Sequence, residues 1–172
     1  MGFPGLMYVG FVLIINSLWM FGKISAKSVI PMNIFVAAIQ ISAVVRIMWF
    51  MPNATMADFS LAAAILLFSF TYLYVAATQA FNLDPKALGW YCLPVACFAV
   101  PLGWWDLSAL GPGMAILWWM WASLWGMFFL LLALNKNIAK ATTVWTLING
   151  IATGSAAFAV LNGYGPLVGI YL

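Results

Sequence analysis

Catalysis and coupled transport need groups that change charge, attack or ligate, and this chain has few of them. Histidine is absent, and the only acids are Asp58, Asp84 and Asp106. All three fall at the ends of apolar runs or between them, so no carboxylate is available near the middle of a bilayer, where ion- and proton-coupled carriers keep theirs. Without histidine the usual general base is missing, and no serine or cysteine has a convincing partner, which argues against an intramembrane hydrolase. Cys92 and Cys97 lie in one apolar run on different faces of a helix, a placement that suits small buried hydrophobes better than a disulfide or metal site. No catalytic residue, metal ligand or cofactor is therefore expected. What remains is passive permeation or a purely structural role.

In place of reactive groups the chain has aromatic surface and neutral hydrogen-bonding groups. Trp19, Trp49, Trp90, Trp104, Trp105 and Trp145 stand at the ends of apolar runs, as indoles of an interfacial belt do. The fifth run differs, because Trp118, Trp119, Trp121 and Trp125 reach from near its start to about its middle. At about 100° per residue, Trp118, Trp121 and Trp125 share one helix face and Trp119 points elsewhere. Phe70 and Tyr74, four residues apart in the third run, supply a second aromatic face near mid-depth. A buried indole N–H or phenol O–H needs a partner, and a permeating polar solute is one; a packed aromatic core between helices accounts for the same spacing equally well. Asn16, Asn33, Gln40 and Asn149 place carboxamides inside or near the runs. Such groups ordinarily hold helices together, at roughly 0.6–2 kcal/mol each. Gly150-Ile151-Ala152-Thr153-Gly154 gives the last run a small-residue packing face. A tube lined by aromatic rings, carboxamides and hydroxyls, without charge, suits a small, neutral, planar, hydrogen-bonding solute such as urea or a short amide.

The elements that must position these residues follow from composition. Of 172 residues, 67% are hydrophobic and 5% charged, against roughly 25% charged in a soluble domain. The net charge of +3 is too small and scattered for a nucleic-acid footprint, and lipid is the expected surrounding. Apolar runs at 6–21, 28–51, 58–81, 87–104, 113–134 and 142–164 predict an all-α polytopic membrane protein with six transmembrane helices in a single domain, 1–172. The first run lacks the charged start and small-residue cleavage pattern of a signal peptide and reads as a retained span. The odd-numbered loops hold Lys23, Lys27, Asp84, Lys86, Lys136 and Lys140, and the even-numbered loops only Asp58 and Asp106. The positive-inside bias puts the lysine loops in the cytoplasm and both termini outside. Arg46 dissents, about a turn from the outer end of the second run, where snorkelling to the headgroups explains it more simply than a pore role. The lysine turns beginning at Gly22, Asn82 and Asn135 look alike, which suggests three successive helical hairpins around a central pore.

With these residues in view, the chain resembles the AmiS/UreI family of urea and short-chain amide channels. The resemblance rests on Leu6-Met7-Tyr8-Val9-Gly10 with Ile15-Asn16, Gly22-Lys23 with Ala26-Lys27-Ser28, Met32-Asn33-Ile34-Phe35-Val36, Phe70-Thr71-Tyr72-Leu73-Tyr74 with Phe81-Asn82-Leu83-Asp84, Trp90-Tyr91, and the Trp118, Trp121, Trp125 spacing. It implies a ring of six protomers, each with its own pore, constricted at residues matching Phe70, Tyr74, Trp121 and Trp125. Two departures accompany it. Asn149-Gly150 stands where the family commonly has a glutamate before a glycine, and the long histidine-bearing outer loop of acid-gated members is missing. The expectation is a channel in the bacterial cytoplasmic membrane for urea or short aliphatic amides such as acetamide, homohexameric and not acid-gated. Its pathway residues would be Phe70, Tyr74, Trp118, Trp121, Trp125, Asn16 and Asn149. The rivals are a non-transporting membrane subunit or scaffold, and an amide-sensing membrane component.

Overall fold

The computed structural model describes residues 3–165 and 169. Six helices follow one another: α1 (Phe3–Met20), α2 (Ala26–Phe50), α3 (Met56–Phe81), α4 (Lys86–Ala109), α5 (Pro112–Ala133) and α6 (Ala139–Leu161). Helices α2 to α6 are each long and apolar enough to cross a membrane, whereas the apolar stretch of α1, Pro4–Met20, is shorter. α2 starts with a 3-10 turn at Ala26–Val29, and α2 and α5 each end in a π turn, at Arg46–Phe50 and Phe129–Ala133. Large apolar side chains such as Phe35, Trp49, Phe50, Trp104 and Phe158 cover the outside of the bundle. Such an exterior suits lipid.

The helix ends have local causes. Thr55 and Asp58 form a reciprocal cap on α3, the Thr55 N–H donating to Asp58 Oδ2 at 2.8 Å and the Asp58 N–H to Thr55 Oγ1 at 3.3 Å. At the opposite ends of the helices, the three lysine turns open alike. Gly22, Asn82 and Asn135 all take the left-handed conformation, at φ of 72°, 52° and 52°, the residue types that tolerate it best. In the first two turns the next N–H closes a wide turn, Lys23 to the Leu18 carbonyl and Leu83 to the Thr78 carbonyl. The three turns therefore share a left-handed first residue, and the first two also share the closing hydrogen bond.

The helices they join are nevertheless not the closest pairs. The most intimate packing is α1 on α6, α2 on α3 and α4 on α5, so the three hairpins expected around the lysine turns are not the tightly packed units. Two of the close pairs are joined at the other end of the bundle, by residues 51–55 and by Leu110-Gly111, and α1 meets α6 with no direct connection. Lipid supplies no hydrophobic drive for one helix to choose another, so backbones approach most closely where side chains are small. Gly10 of α1 shows this, because a Cβ there would lie 2.5 Å from the Gly154 Cα and 2.8 Å from the Gly150 carbonyl oxygen of α6. The small-residue face read on the last run is the seat of α1.

Candidate solute pathway

The centre of the bundle is a column of aromatic rings. Trp118, Trp121 and Trp125 descend one face of α5, buried to within 2% of full occlusion, and Phe68 of α3 inserts between them. The Phe68 ring centroid stands 5.4, 5.2 and 4.9 Å from those of Trp118, Trp121 and Trp125, and the last two contacts are edge-on, at interplanar angles of 71° and 85°. Trp118 and Trp121 meet edge-on at 5.1 Å. Each such pair contributes about 0.5–1.5 kcal/mol beyond its buried area. The spacing argument for α5 therefore places its three tryptophans together, while Trp119 leaves them and packs on Trp104, donating to the Val100 carbonyl at 3.3 Å.

None of the three indole N–H groups is left free. Trp121 donates to Thr153 Oγ1 on α6 at 3.0 Å, Trp125 to Thr71 Oγ1 on α3 at 3.1 Å, and Trp118 to Asp106 Oδ2 on α4 at 2.6 Å. The rings are thus oriented by three different helices and show the centre their faces and edges. The two deeper indoles are held by neutral hydroxyls, and Thr71 in turn donates to the Leu67 carbonyl at 2.8 Å.

Beneath Trp125, towards the lysine turns, lies a cavity of about 200 Å³. That is well above the roughly 10–15 Å³ a single water requires. Trp125 and Tyr72 border it at the aromatic end, Asn16, Thr71, Thr78 and Thr146 stand along walls whose exposed surface is almost wholly apolar, and Trp19, Gln79 and Leu132 stand near the lysine-turn ends of their helices. Among the described residues, no Asp, Glu, Lys or Arg borders it. Asn16 is held there by a reciprocal pair with Asn33: Asn16 Nδ2 donates to Asn33 Oδ1 at 3.1 Å, and Asn33 Nδ2 to Asn16 Oδ1 at 2.8 Å. Asn33→Leu removes both side-chain hydrogen bonds of Asn16 in a buried site. It should cost roughly 1–3 kcal/mol in thermal unfolding of detergent-solubilised protein, with part of the loss recovered when Asn16→Leu is added.

The other expected pathway residues fall differently. Phe70 is 47% exposed on the outside of α3, and Tyr74 is half-buried beside Tyr91 at a centroid distance of 6.3 Å. Neither reaches the tryptophans. The face of α3 that does carries Phe68, Thr71 and Tyr72, because two positions turn a helix by about 200°. Asn149 is fully buried on α6 and donates to the Trp145 carbonyl at 2.9 Å, but Thr146, one turn earlier, takes the place on the cavity wall. Three buried polar atoms in or next to this region, Tyr72 Oη, Thr78 Oγ1 and Asn149 Oδ1, have no hydrogen-bond partner among the described residues. Cys92 borders the cavity and Cys97 is exposed on another face of α4.

Apolar helices around an uncharged cavity and a column of edge-packed aromatic rings make a multi-pass membrane protein, and the family it matches places it in the transport class. The chain belongs to the AmiS/UreI family of transporters, whose model matches residues 1–164. It is 33% identical over 166 residues to the proposed transporter protein AmiS2 of Rhodococcus erythropolis, covering 95% of this chain and 80% of that one. It is 32% identical over 176 residues to the acid-activated urea channel of Helicobacter pylori, covering 86% of this chain and 90% of the channel. The crystal structure of the Helicobacter pylori urea channel superposes with a TM-score of 0.87 at 31% identity, covering 95% of this chain and 99% of that one. Family members are channels or transporters, not enzymes.

Proposed function

We propose that this protein is a passive channel for urea or short-chain aliphatic amides, with the pathway running through the protomer along the cavity and the aromatic column. The observation that carries this reading is the uncharged cavity of about 200 Å³ ending on Trp125 and Tyr72. A neutral planar solute slides between ring faces there without the desolvation cost that an ion would meet. The Tyr72 and Thr78 hydroxyls, which have no protein partner among the described residues, are the groups left to hydrogen-bond a carbonyl or amide in transit. Phe68, wedged against all three tryptophans, closes the column and has to swing aside for each passage. The channel resides in the cytoplasmic membrane of a bacterium, with the lysine turns inside and both termini outside, as the positive-inside bias requires. α1 serves as the sixth span, since it runs against α6 from Gly10 to Ile14. The assembly is a homohexamer of independently conducting protomers, with the apolar exterior divided between neighbours and lipid.

Uptake of labelled urea and acetamide into liposomes containing the purified protein tests the proposal. Flux above that of empty liposomes is expected for both solutes, and its absence for both would remove the channel reading.

The channel is also not acid-gated. Histidine is the side chain that ordinarily changes charge between about pH 5 and pH 8, and the chain has none. Of the acids away from the lysine turns, Asp58 is fixed in the α3 cap and Asp106 touches only the outer end of the aromatic column through Trp118. Urea flux should therefore change by less than about twofold across the interval in which a histidine would titrate. A several-fold rise at the acid end, absent from empty liposomes, would contradict this and point to Asp106.

A further inference from the structure

We infer that the groove between α1 and α2 at the end away from the lysine turns is a binding site for one phospholipid per protomer, with Arg46 on its phosphodiester. The groove has a volume of about 250 Å³ and is walled by Gly5, Ile39, Gln40, Ala43, Arg46 and Ile65. It shares no residue with the solute cavity. Its polar side chains offer donors to a ligand. Arg46 is exposed and brings five N–H donors and a full charge. Gln40 is 2% exposed; Ser69 Oγ donates to its Oε1 at 3.0 Å, while its Nε2 is buried with no partner among the described residues.

Among the described residues, no carboxylate supplies the missing anion. Asp58 is engaged by Thr55, Asp84 caps the Lys86 N–H, and Asp106 accepts from Trp118. A cation at headgroup depth, surrounded by lipid and without a carboxylate, takes its counter-charge from the bilayer, and phosphate is the group that a guanidinium grips with two parallel hydrogen bonds. Gln40 lies six residues deeper on α2, about 9 Å along the axis at about 1.5 Å per residue. That is the direction in which a phospholipid passes from phosphate through ester oxygens to acyl chain. Ile39, Ala43 and Ile65 then line the path of the chain. The occupant is thus acceptor-rich at the Arg46 end and apolar below it.

Native mass spectrometry of protein purified in mild detergent is expected to show one phospholipid per protomer. Arg46→Gln should lower its occupancy at least fivefold, and Arg46→Lys, which keeps the charge without the paired hydrogen bonds, should lower it less. A Cβ at Gly5 would sit 3.6 Å from Ile39 Cγ2, so Gly5→Leu extends into the groove and should expel the lipid with Arg46 intact. Arg46 lies on the surface, so Arg46→Gln tests the site even if Gly5→Leu does not fold. Delipidated protein titrated with phosphatidylglycerol, then with inorganic phosphate, separates a whole lipid from a phosphate ion. Saturable lipid binding that excess phosphate does not displace supports the assignment, and phosphate binding as tight as lipid binding overturns it. It is equally overturned by wild-type protein without a lipid adduct, by an Arg46→Gln variant that keeps it, or by Arg46→Gln dissociating the oligomer with lipid unchanged. The last result would make the groove a contact between copies.

Discussion

Replacing Trp125 with alanine should raise the flux of urea and acetamide through reconstituted protein several-fold and weaken its discrimination between them. Trp125 is the ring at which the cavity meets the aromatic column, and Phe68 leans on it edge-on at 4.9 Å. Truncation extends the cavity up to the Phe68 ring and removes a surface against which Phe68 is wedged shut. Tyr72→Phe keeps the ring but deletes the hydroxyl, so it should lower flux with little effect on folding, since that hydroxyl has no partner among the described residues to lose. The controls are Phe70→Ala and Trp119→Ala. Phe70 is exposed on the outer surface and Trp119 packs on Trp104, away from the column. Stopped-flow uptake, normalised to reconstituted protein, distinguishes the two sets. Equal effects at Trp125, Tyr72, Phe70 and Trp119 would mean that the column is packing and the pathway lies elsewhere.

Phe70 and Tyr74 also show where a sequence stops being informative. Helical periodicity finds aromatic pairs four residues apart, and α3 contains two of them, Phe68 with Tyr72 and Phe70 with Tyr74. Both satisfy the same rule on opposite sides of one helix, and in a chain this apolar no polar stripe marks which side faces inward. α5 was readable because its tryptophans differ in spacing: Trp118, Trp121 and Trp125 fit one face and Trp119 does not. The hydroxyls that satisfy the indoles were not readable. Thr71 and Thr153 lie 54 and 32 positions from their partners, and threonine is common in transmembrane helices for its own back-bond. Helix limits came within a few residues because Gly, Asn, Pro and lysine interrupt the apolar runs. Pairing of the helices was legible only in part. The turn residues identify which ends are alike, whereas the partners are set by where backbones can touch, and for α1 that depends on glycines at the far end of the chain.

The contact of α1 with α6 yields a prediction with opposite signs at two glycines. Alanine is ordinarily the better helix residue by roughly 0.5–1 kcal/mol, so a glycine that only lines a loose interface should gain stability on replacement. Gly154 is such a case, because a Cβ there would meet the Gly10 Cα at 3.6 Å, an ordinary contact. Gly10 is the reverse. Its Cβ would stand 2.5 Å from both the Cα and the N of Gly154 and 2.8 Å from the Gly150 oxygen, all backbone atoms that cannot rotate away. Gly10→Ala therefore forces α1 and α6 apart along their whole contact and should cost at least the roughly 1–3 kcal/mol typical of overpacking. In addition it exposes the Asn16–Asn33 pair to misalignment, since Asn16 lies further along the same helix. Thermal unfolding followed by size-exclusion fluorescence should show Gly10→Ala well below the wild type and Gly154→Ala at or slightly above it. Gly150→Ala falls between them, because its Cβ would meet the Ile14 backbone N and Cγ1 at 2.9 Å. If Gly10 and Gly154 tolerate alanine equally, the two helices are not in backbone contact at that level, and the seat of α1 has to be sought on another face of α6.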